Sequence, residues 1–150
     1  MMLEWTDILL RLGGAAGAGV ILGINRDIHN KPIGTRTLGL VGLGAATAVV
    51  AAIQIPGLAE QSDAASRVIQ GVMAGISFIG AGVILRDVGS QNVQGLTTAA
   101  TVWAVAALGT AFGLAMWSTA AIALALALVL LVVVAWIERL LTDKGTRKDR

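Results

Sequence analysis

The sequence predicts an all-α membrane protein, a compact bundle of about five transmembrane helices. Of its 150 residues, 56% are hydrophobic and only 13% are charged, and the mean hydropathy is +0.81. A soluble domain of this length could not bury that much apolar surface. The apolar residues also form long runs, with the basic residues between and after them. A lipid bilayer is therefore the expected solvent.

Composition excludes several function classes. The chain has no cysteine and one histidine, which rules out disulfides, thiolate metal sites and histidine pairs such as HExxH. No paired carboxylates, nucleophile with base, or phosphate loop stands at recognisable spacing, so we expect no enzyme, cofactor or metal site. The net charge of +2 comes from loops and the tail, which argues against nucleic acid as a partner. Because Glu4 and Asp7 precede the first apolar run, unlike the positive start of a signal peptide, we expect the amino terminus to be retained.

Five segments are predicted to span the membrane, since a hydrocarbon layer of roughly 30 Å needs about 20 apolar residues. The first three are residues 5–24, 37–55 and 68–85. The 50 residues between Asp87 and Glu138 carry no charge and would extend about 75 Å as one helix. They must therefore fold into two spans, 97–116 and 119–137, with a turn near residues 113–118. Residues 1–137 form the predicted membrane domain and 138–150 a basic tail.

Lysine and arginine determine the predicted orientation. With five spans, the first connection, the third connection and the tail share one side and hold nine of the 11 basic residues. Since cytoplasmic loops carry the excess of positive charge, we expect the carboxyl terminus in the cytoplasm and the amino terminus outside. Trp103 lies deep in the fourth span and is predicted to be a packing residue.

Glycine spacing predicts close packing between helices. Small residues let helix backbones approach in a bilayer, where apolar contact alone provides no driving force. GxxxG spacing occurs in the predicted spans one, three and four, at Gly13 and Gly17, Gly19 and Gly23, Gly71 and Gly75, and Gly109 and Gly113. The alternative is that glycine is simply common in transmembrane helices. The fifth span has no glycine and is predicted to be a lipid-facing outer helix.

Two halves of the chain share a short pattern. GAGVIL occurs at residues 17–22 and again at 80–85, each followed by an Arg-Asp pair and then by a glycine with a threonine three residues on. These observations predict a two-helix parallel repeat, of spans one and two and of spans three and four, with a functional site at the repeat interface. Chance matches among Gly, Ala and Val are the alternative.

Longer motifs resemble the MgtC/SapB family, specifically its amino-terminal membrane domain. The resemblance covers residues 12–131 and is carried by GVILGINRD (19–27), GTRTLGLVGLGAA (34–46), DAASRVIQGVMAGISFIGAGVILRD (63–87) and VQGLTTAATVWAVAALG (93–109). It implies a multi-pass protein of the bacterial inner membrane associated with growth at low magnesium and, in some pathogens, with survival inside host cells. Many members carry a further soluble domain, whose role is not transferred to these residues. Asn25 stands where the family usually has an acidic residue, which puts any role needing that charge in doubt.

Polar residues inside or beside the spans are candidates for function, because burying them in a bilayer is costly. Arg11 is intramembrane and is expected to pair with Asp7 one helical turn earlier. Asp63 and Arg67 have the same spacing at the outer start of the third span, and Gln70 lies within it and is expected, with Ser77, to bond between helices. The alternatives are a snorkelling pair, an exposed helix-start pair and structural hydrogen bonding.

The cytoplasmic ends of the spans hold a larger set, predicted to converge into a polar cluster if the two repeats pack side by side. Its members are Asn25, Arg26, Asp27, Arg36, Arg86, Asp87, Asn92, Thr97 and Thr98. At the start of the fourth span, free amide groups favour anions or partner carboxylates. Ordinary flanking charge and helix capping are the alternative.

Two functions remain open from the sequence. The first is a binding protein that associates with itself, as a homo-oligomer, or with other membrane proteins, within membrane lipid. The second is a small transporter or channel at the repeat interface. Direct magnesium transport is disfavoured, because the predicted spans two to five contain no Asp or Glu to hold the ion.

Overall fold

The computed structural model describes residues 3–55, 62–86, 93–134 and 136. It contains five α-helices: α1 (Trp5–Ile28), α2 (Thr35–Gln54), α3 (Ser62–Gly82), α4 (Leu96–Gly113) and α5 (Trp117–Val129), the last continued by a π-helical segment (Leu130–Val134). Two short strands, β1 (Leu85–Arg86) and β2 (Val93–Gln94), pair antiparallel between α3 and α4. The predicted all-α bundle of five helices is confirmed.

Within the described residues, four helical segments are long and apolar enough to cross a membrane: Trp5–Ile28, Thr35–Gln54, Leu96–Gly113 and Trp117–Val134. Helix α3 is less apolar, since it holds Arg67, Gln70 and Ser77 among several glycines. Its path nevertheless follows from its neighbours. Helix α2 ends beside the end of α4, where Val49 packs against Gly113. The chain must then return along the length of the bundle to the start of α4, and α3 makes that return.

Helices α1 and α4 each end in a hydrogen-bonded turn that contains a left-handed residue. At the end of α1, Asn30 is left-handed (φ 51°), and the amides of Asn30 and Lys31 donate to the carbonyls of Asp27 and Arg26. At the end of α4, Ala115 is left-handed (φ 56°), and its amide donates to the Phe112 carbonyl. This bonding is the Schellman motif, which satisfies carbonyls left over at a helix terminus.

Several boundaries differ from the predicted spans. Helix α1 continues to Ile28, past the predicted end at residue 24, so Arg26 and Asp27 are helical. Helix α3 ends at Gly82, and Leu85 lies in a strand although it was predicted to be the end of the third span. The turn between α4 and α5 lies at 114–116, within the predicted 113–118. The predicted tail, 138–150, lies outside the described residues.

Helices α1, α2 and α4 form the tight centre of the bundle. The buried core contains Leu22, Leu38, Val102 and Val105. An ideal Cβ built at Gly19, Gly23, Gly42 or Gly109 would lie less than 3.0 Å from a backbone atom of a neighbouring helix. Glycine is needed there because any side chain would push two backbones apart.

Helices α3 and α5 lie at the periphery. In α5 only Ala120 is buried, while Leu124 and Leu128 pack partly against the core. Trp103, predicted to be a packing residue, is 51% exposed on the bundle surface, so that prediction was wrong. Trp103 does lie near the middle of α4, but the rotation of this helix about its axis places the ring on the outer face of the bundle.

Candidate functional site

A buried arginine joins the two halves of the chain. Arg26, in the last turn of α1, is only 3% exposed, and its Nη2 donates a hydrogen bond to the Thr98 hydroxyl in the first turn of α4. Thr98 is also 3% exposed. The Arg26 Nε is buried and has no hydrogen-bond partner in the described part of the chain. This contact lies between the two predicted repeats. Among the described residues, the guanidinium still has a hydrogen-bond donor without an acceptor.

Asp27 caps the following helix. Its carboxylate accepts hydrogen bonds from both the backbone amide (3.0 Å) and the hydroxyl of Thr35, the first residue of α2. The residue before α2, Gly34, has no side chain to cap the helix, and an ideal Cβ at Gly34 would collide with the Asp27 carboxylate. Asp27 therefore does across the loop what an N-cap side chain normally does locally.

The remaining members of the predicted cluster are exposed, half-buried or outside the described side chains. Arg36 and Thr97 are exposed, and Asn25 is half-buried with its carbonyl accepting from His29 Nδ1 (2.7 Å). Arg86 lies in β1, and Asp87 and Asn92 lie outside the described residues. Of the predicted cluster, Arg26 and Thr98 are hydrogen-bonded to each other, and Asp27 bonds to Thr35, which was not in the predicted set.

Arg11 organises the opposite end of the bundle. The ion pair expected from its spacing is present, with Arg11 Nη2 2.8 Å from the Asp7 carboxylate. Arg11 Nη1 also donates to the Gly113 carbonyl at the end of α4 (2.8 Å). The guanidinium therefore links the start of α1 to the end of α4 rather than only snorkelling towards the interface.

The interhelical hydrogen bonds expected of Gln70 and Ser77 in α3 are not formed with any described residue. Asp63, Arg67 and Gln70 are exposed. The Ser77 hydroxyl, expected to bond to another helix, donates instead to the Met73 carbonyl of its own helix (2.8 Å). An intrahelical acceptor is available to every helical serine, which makes interhelical bonding hard to predict from spacing alone.

An apolar groove separates α2 from α3. It has a volume of about 440 Å³, and its wall includes Leu40, Gly44, Gly71 and Gly75, with Ala106 of α4 also lining it. No described atom lies within 4 Å of an ideal Cβ at Gly44, Gly71 or Gly75. The described part of the chain does not pack against the Gly71–Gly75 face, in contrast to the faces of Gly19, Gly23, Gly109 and Gly113.

Sequence reasoning missed three of these relationships. Gly34 was noted only as part of the repeat, Thr35 was not considered, and the Arg11 bond to Gly113 joins residues 102 positions apart. A glycine directly before a helix with a free aspartate upstream is a signal for the first two. No local pattern could have indicated the third. Among the described residues, no group of three or more His, Cys, Asp or Glu side chains could share a metal ion.

Comparison with known proteins gives one family. A family model described as the MgtC family matches residues 12–140. Protein SrpB of Synechococcus elongatus is 41% identical over 76% of this chain and 67% of its own length. Protein SapB of Bacillus subtilis is 32% identical over 99% of this chain and 67% of its own.

Protein MgtC of Brucella abortus is 39% identical over 75% of this chain, but the match covers only 44% of its own length. The chain therefore spans about two thirds of SrpB and SapB and less than half of MgtC. No solved structure matches the chain.

Proposed function

The chain belongs to the MgtC family, and we propose that it is a non-enzymatic protein of the bacterial inner membrane that acts by associating with a second copy of itself in adaptation to low magnesium. The observation that carries this proposal is the uncovered glycine face of α3. Gly71 and Gly75 are one helical turn apart, and neither meets an atom within 4 Å of an ideal Cβ among the described residues.

The uncovered face of α3 differs from the closely packed glycine faces of this bundle, and in α1 the Gly13–Gly17 pair is open in the same way. The comparable glycines of α1 and α4, Gly19 and Gly109, bring backbones together so closely that a Cβ would collide. Helices in lipid associate by such close contact, and small residues are concentrated at their interfaces. Glycine also lowers helix stability by about 1 kcal/mol relative to alanine, so an open glycine pair needs a compensating contact.

The groove beside α3 is suited to a second copy. Its lining is apolar or small, and its walls belong to α2 and α3, whose Leu40 and Ile79 are exposed at the bundle surface. A helix of another copy that inserted into it would contact Gly71 and Gly75 directly. Two copies related by a twofold axis would each present the same face, as in most homodimers.

Larger side chains in place of the two glycines of α3 test the proposed association. The double variant Gly71→Leu/Gly75→Leu is expected to be monomeric in lipid nanodiscs or in vesicles at low protein density, where the unmodified chain is dimeric by single-molecule photobleaching. The control variant Ala121→Leu/Ala125→Leu has the same spacing at exposed positions of α5 and should remain dimeric. A monomeric unmodified chain, or a dimer unaffected by the α3 change, would refute the proposal.

The physiological role follows from the family resemblance. In a strain lacking the gene for this protein, we expect slower growth at low magnesium than at high magnesium, restored by the unmodified chain. The monomeric α3 variant should fail to restore growth while the α5 control succeeds. Restoration by both variants would separate the magnesium role from association.

The proposed orientation places the amino terminus outside and the carboxyl terminus in the cytoplasm. Glu4 and Lys31 flank α1, and the chain has no natural cysteine to interfere with labelling. In intact spheroplasts, a membrane-impermeant maleimide should label Glu4→Cys and leave Lys31→Cys unlabelled until the cells are opened. The reverse pattern would invert the topology.

Transport at the repeat interface is the second candidate, favoured by the buried contact between Arg26 and Thr98 across α1 and α4. Purified protein in liposomes would then carry magnesium, protons or a small anion, and flux would fall in Arg26→Gln. An association protein predicts no flux above that of protein-free liposomes.

A further inference from the structure

Where α1 meets α4, a buried guanidinium has no ion-pair partner among the described residues. The Arg26 guanidinium remains charged at any physiological pH, and it lies almost fully buried beside the first turn of α4. The amino end of a helix carries the positive end of its dipole, equivalent to about half a unit charge. Two positive groups therefore face each other at a position where water is excluded.

None of the described carboxylates hydrogen-bonds to Arg26. Asp27 is adjacent in sequence, but its carboxylate bonds to Thr35. Asp7 pairs with Arg11 at the other end of the bundle, where Glu4 and Asp63 also lie, at the starts of α1 and α3. A buried cation without a partner anion is strongly unfavourable, since burial removes its hydration. The arrangement requires a negative group.

Donors for that negative group are already in place. No described residue accepts a hydrogen bond from the buried Arg26 Nε. The Thr98 hydroxyl accepts from Arg26 Nη2, and its own proton is free to be donated to another acceptor. The residue before α4 is Gly95, which provides no side-chain cap, and amides in a helical first turn have no intrahelical acceptor.

From these donors we propose that Arg26, Thr98 and the first turn of α4 bind a phosphate group. Its several oxygens can accept from a guanidinium, a hydroxyl and backbone amides together, which is why arginine and helix amino-termini recur in phosphate sites. Two sources have this chemistry: inorganic phosphate and the headgroup of an anionic phospholipid. The site does not include the glycine face of α3, so phosphate binding can be tested independently of self-association.

The first experiment measures binding to the full chain. Protein purified in an alkyl maltoside, which contains no phosphate, is titrated with sodium phosphate, with sodium chloride at equal ionic strength as the comparison. Phosphate is expected to raise the midpoint of thermal unfolding above the chloride value if free phosphate is the ligand. If the headgroup is the ligand, phosphatidylglycerol should raise the midpoint, with one lipid retained in native mass spectrometry, and added phosphate should have no further effect.

Variants identify the site. Thr98→Val keeps the size of the side chain and removes the hydroxyl, and it should weaken binding about tenfold or more, whereas Thr98→Ser should restore it. Arg26→Gln should abolish binding. Lys31→Gln removes one positive charge from an exposed loop residue at the same end of the bundle and should bind like the unmodified chain.

Three results would overturn the proposal. One is that neither phosphate nor phosphatidylglycerol stabilises the protein more than chloride. Another is that Thr98→Val binds as tightly as Lys31→Gln, which would indicate general charge attraction. The third is that only Asp87→Asn gains a phosphate response, which would identify Asp87 of the same chain as the natural partner of Arg26.

Discussion

Arg11 Nη1 donates a hydrogen bond to the carbonyl oxygen of Gly113 over 2.8 Å, joining the first turns of α1 to the last residue of α4. The Schellman motif at the end of α4 already satisfies the Phe112 carbonyl and the Ala111 carbonyl. Arg11 takes the next carbonyl in the series. One guanidinium thereby neutralises Asp7 and completes the end of a helix that lies far away in sequence.

Removing this guanidinium should loosen the end of the bundle where α1 begins and α4 ends. Arg11→Gln loses the ion pair and weakens the bond to Gly113, so we expect the free energy of unfolding to fall by about 1–3 kcal/mol. Denaturant titration in mixed micelles, followed by circular dichroism, measures the change. Arg36→Gln removes an exposed arginine and should change stability by less than about 0.5 kcal/mol. Equal effects of the two substitutions would show that the bond to Gly113 contributes nothing.

Two glycines of α1 should respond oppositely to alanine. A Cβ at Gly19 would lie less than 3.0 Å from the Leu38 backbone carbonyl, whereas Gly17 has open space. Gly19→Ala must separate α1 from α2 and should cost about 1–3 kcal/mol. Gly17→Ala should be neutral or stabilise by up to about 1 kcal/mol, because alanine is the better helix former. If both variants have the same unfolding midpoint, the close contact of α1 with α2 is not formed.

The cap that Asp27 provides for α2 should appear as coupling between two residues. Asp27→Ala is expected to cost about 1 kcal/mol, the usual effect of losing an N-cap. Thr35→Val removes one of the two donors to the carboxylate and should cost less. In the double variant the loss should be smaller than the sum of the single losses, since both remove the same hydrogen bond. Strict additivity in the same unfolding measurement would contradict the cap.

A stabilising substitution is expected at Ala115. Its φ of 56° is left-handed, a conformation unfavourable for any residue with a Cβ. Ala115→Gly should therefore stabilise the protein by roughly 0.5–1 kcal/mol, because glycine adopts this conformation without strain. Ala111→Gly, inside α4, should destabilise by a similar amount. A lower unfolding midpoint for Ala115→Gly would rule out the left-handed turn between α4 and α5.

The site was only partly predictable. Arg26, Asp27 and Thr98 were chosen from the sequence because they are polar residues at the ends of apolar runs, and the structure describes a hydrogen bond for each. Their convergence into one cluster was an assumption about how the two helix pairs face each other. The structure pairs Asp27 with Thr35 and leaves Arg36 exposed, and the convergence of the whole set stays a prediction because Asp87 and Asn92 lie outside the described residues. Each such outcome depends on the rotation of a helix about its axis, which polarity alone does not specify.

The glycine pattern shows the same limit. Gly19 and Gly23 have the same spacing as Gly71 and Gly75, yet of the two pairs only the first lies against another helix in the described part of the chain. The spacing places two small residues on one helical face, but it carries no information on which neighbour that face meets. The superposition of the two helix pairs, predicted from GAGVIL, stays a prediction, although Gly34 and Gly95 do occupy the same N-cap position before α2 and α4.

The amino-acid sequence by itself determined that the chain is a membrane protein of five helices, approximately where each helix lies, and to which family it belongs. These properties depend on the length of uncharged runs and on local motifs, and both consist of residues that are consecutive in the chain. Only the tertiary structure decided that Arg26 meets Thr98, that Arg11 completes the end of α4, and that one glycine face is buried while another is open. Such contacts are fixed by the rotation and register of packed helices, which arise from the sum of many weak interactions between distant parts of the chain.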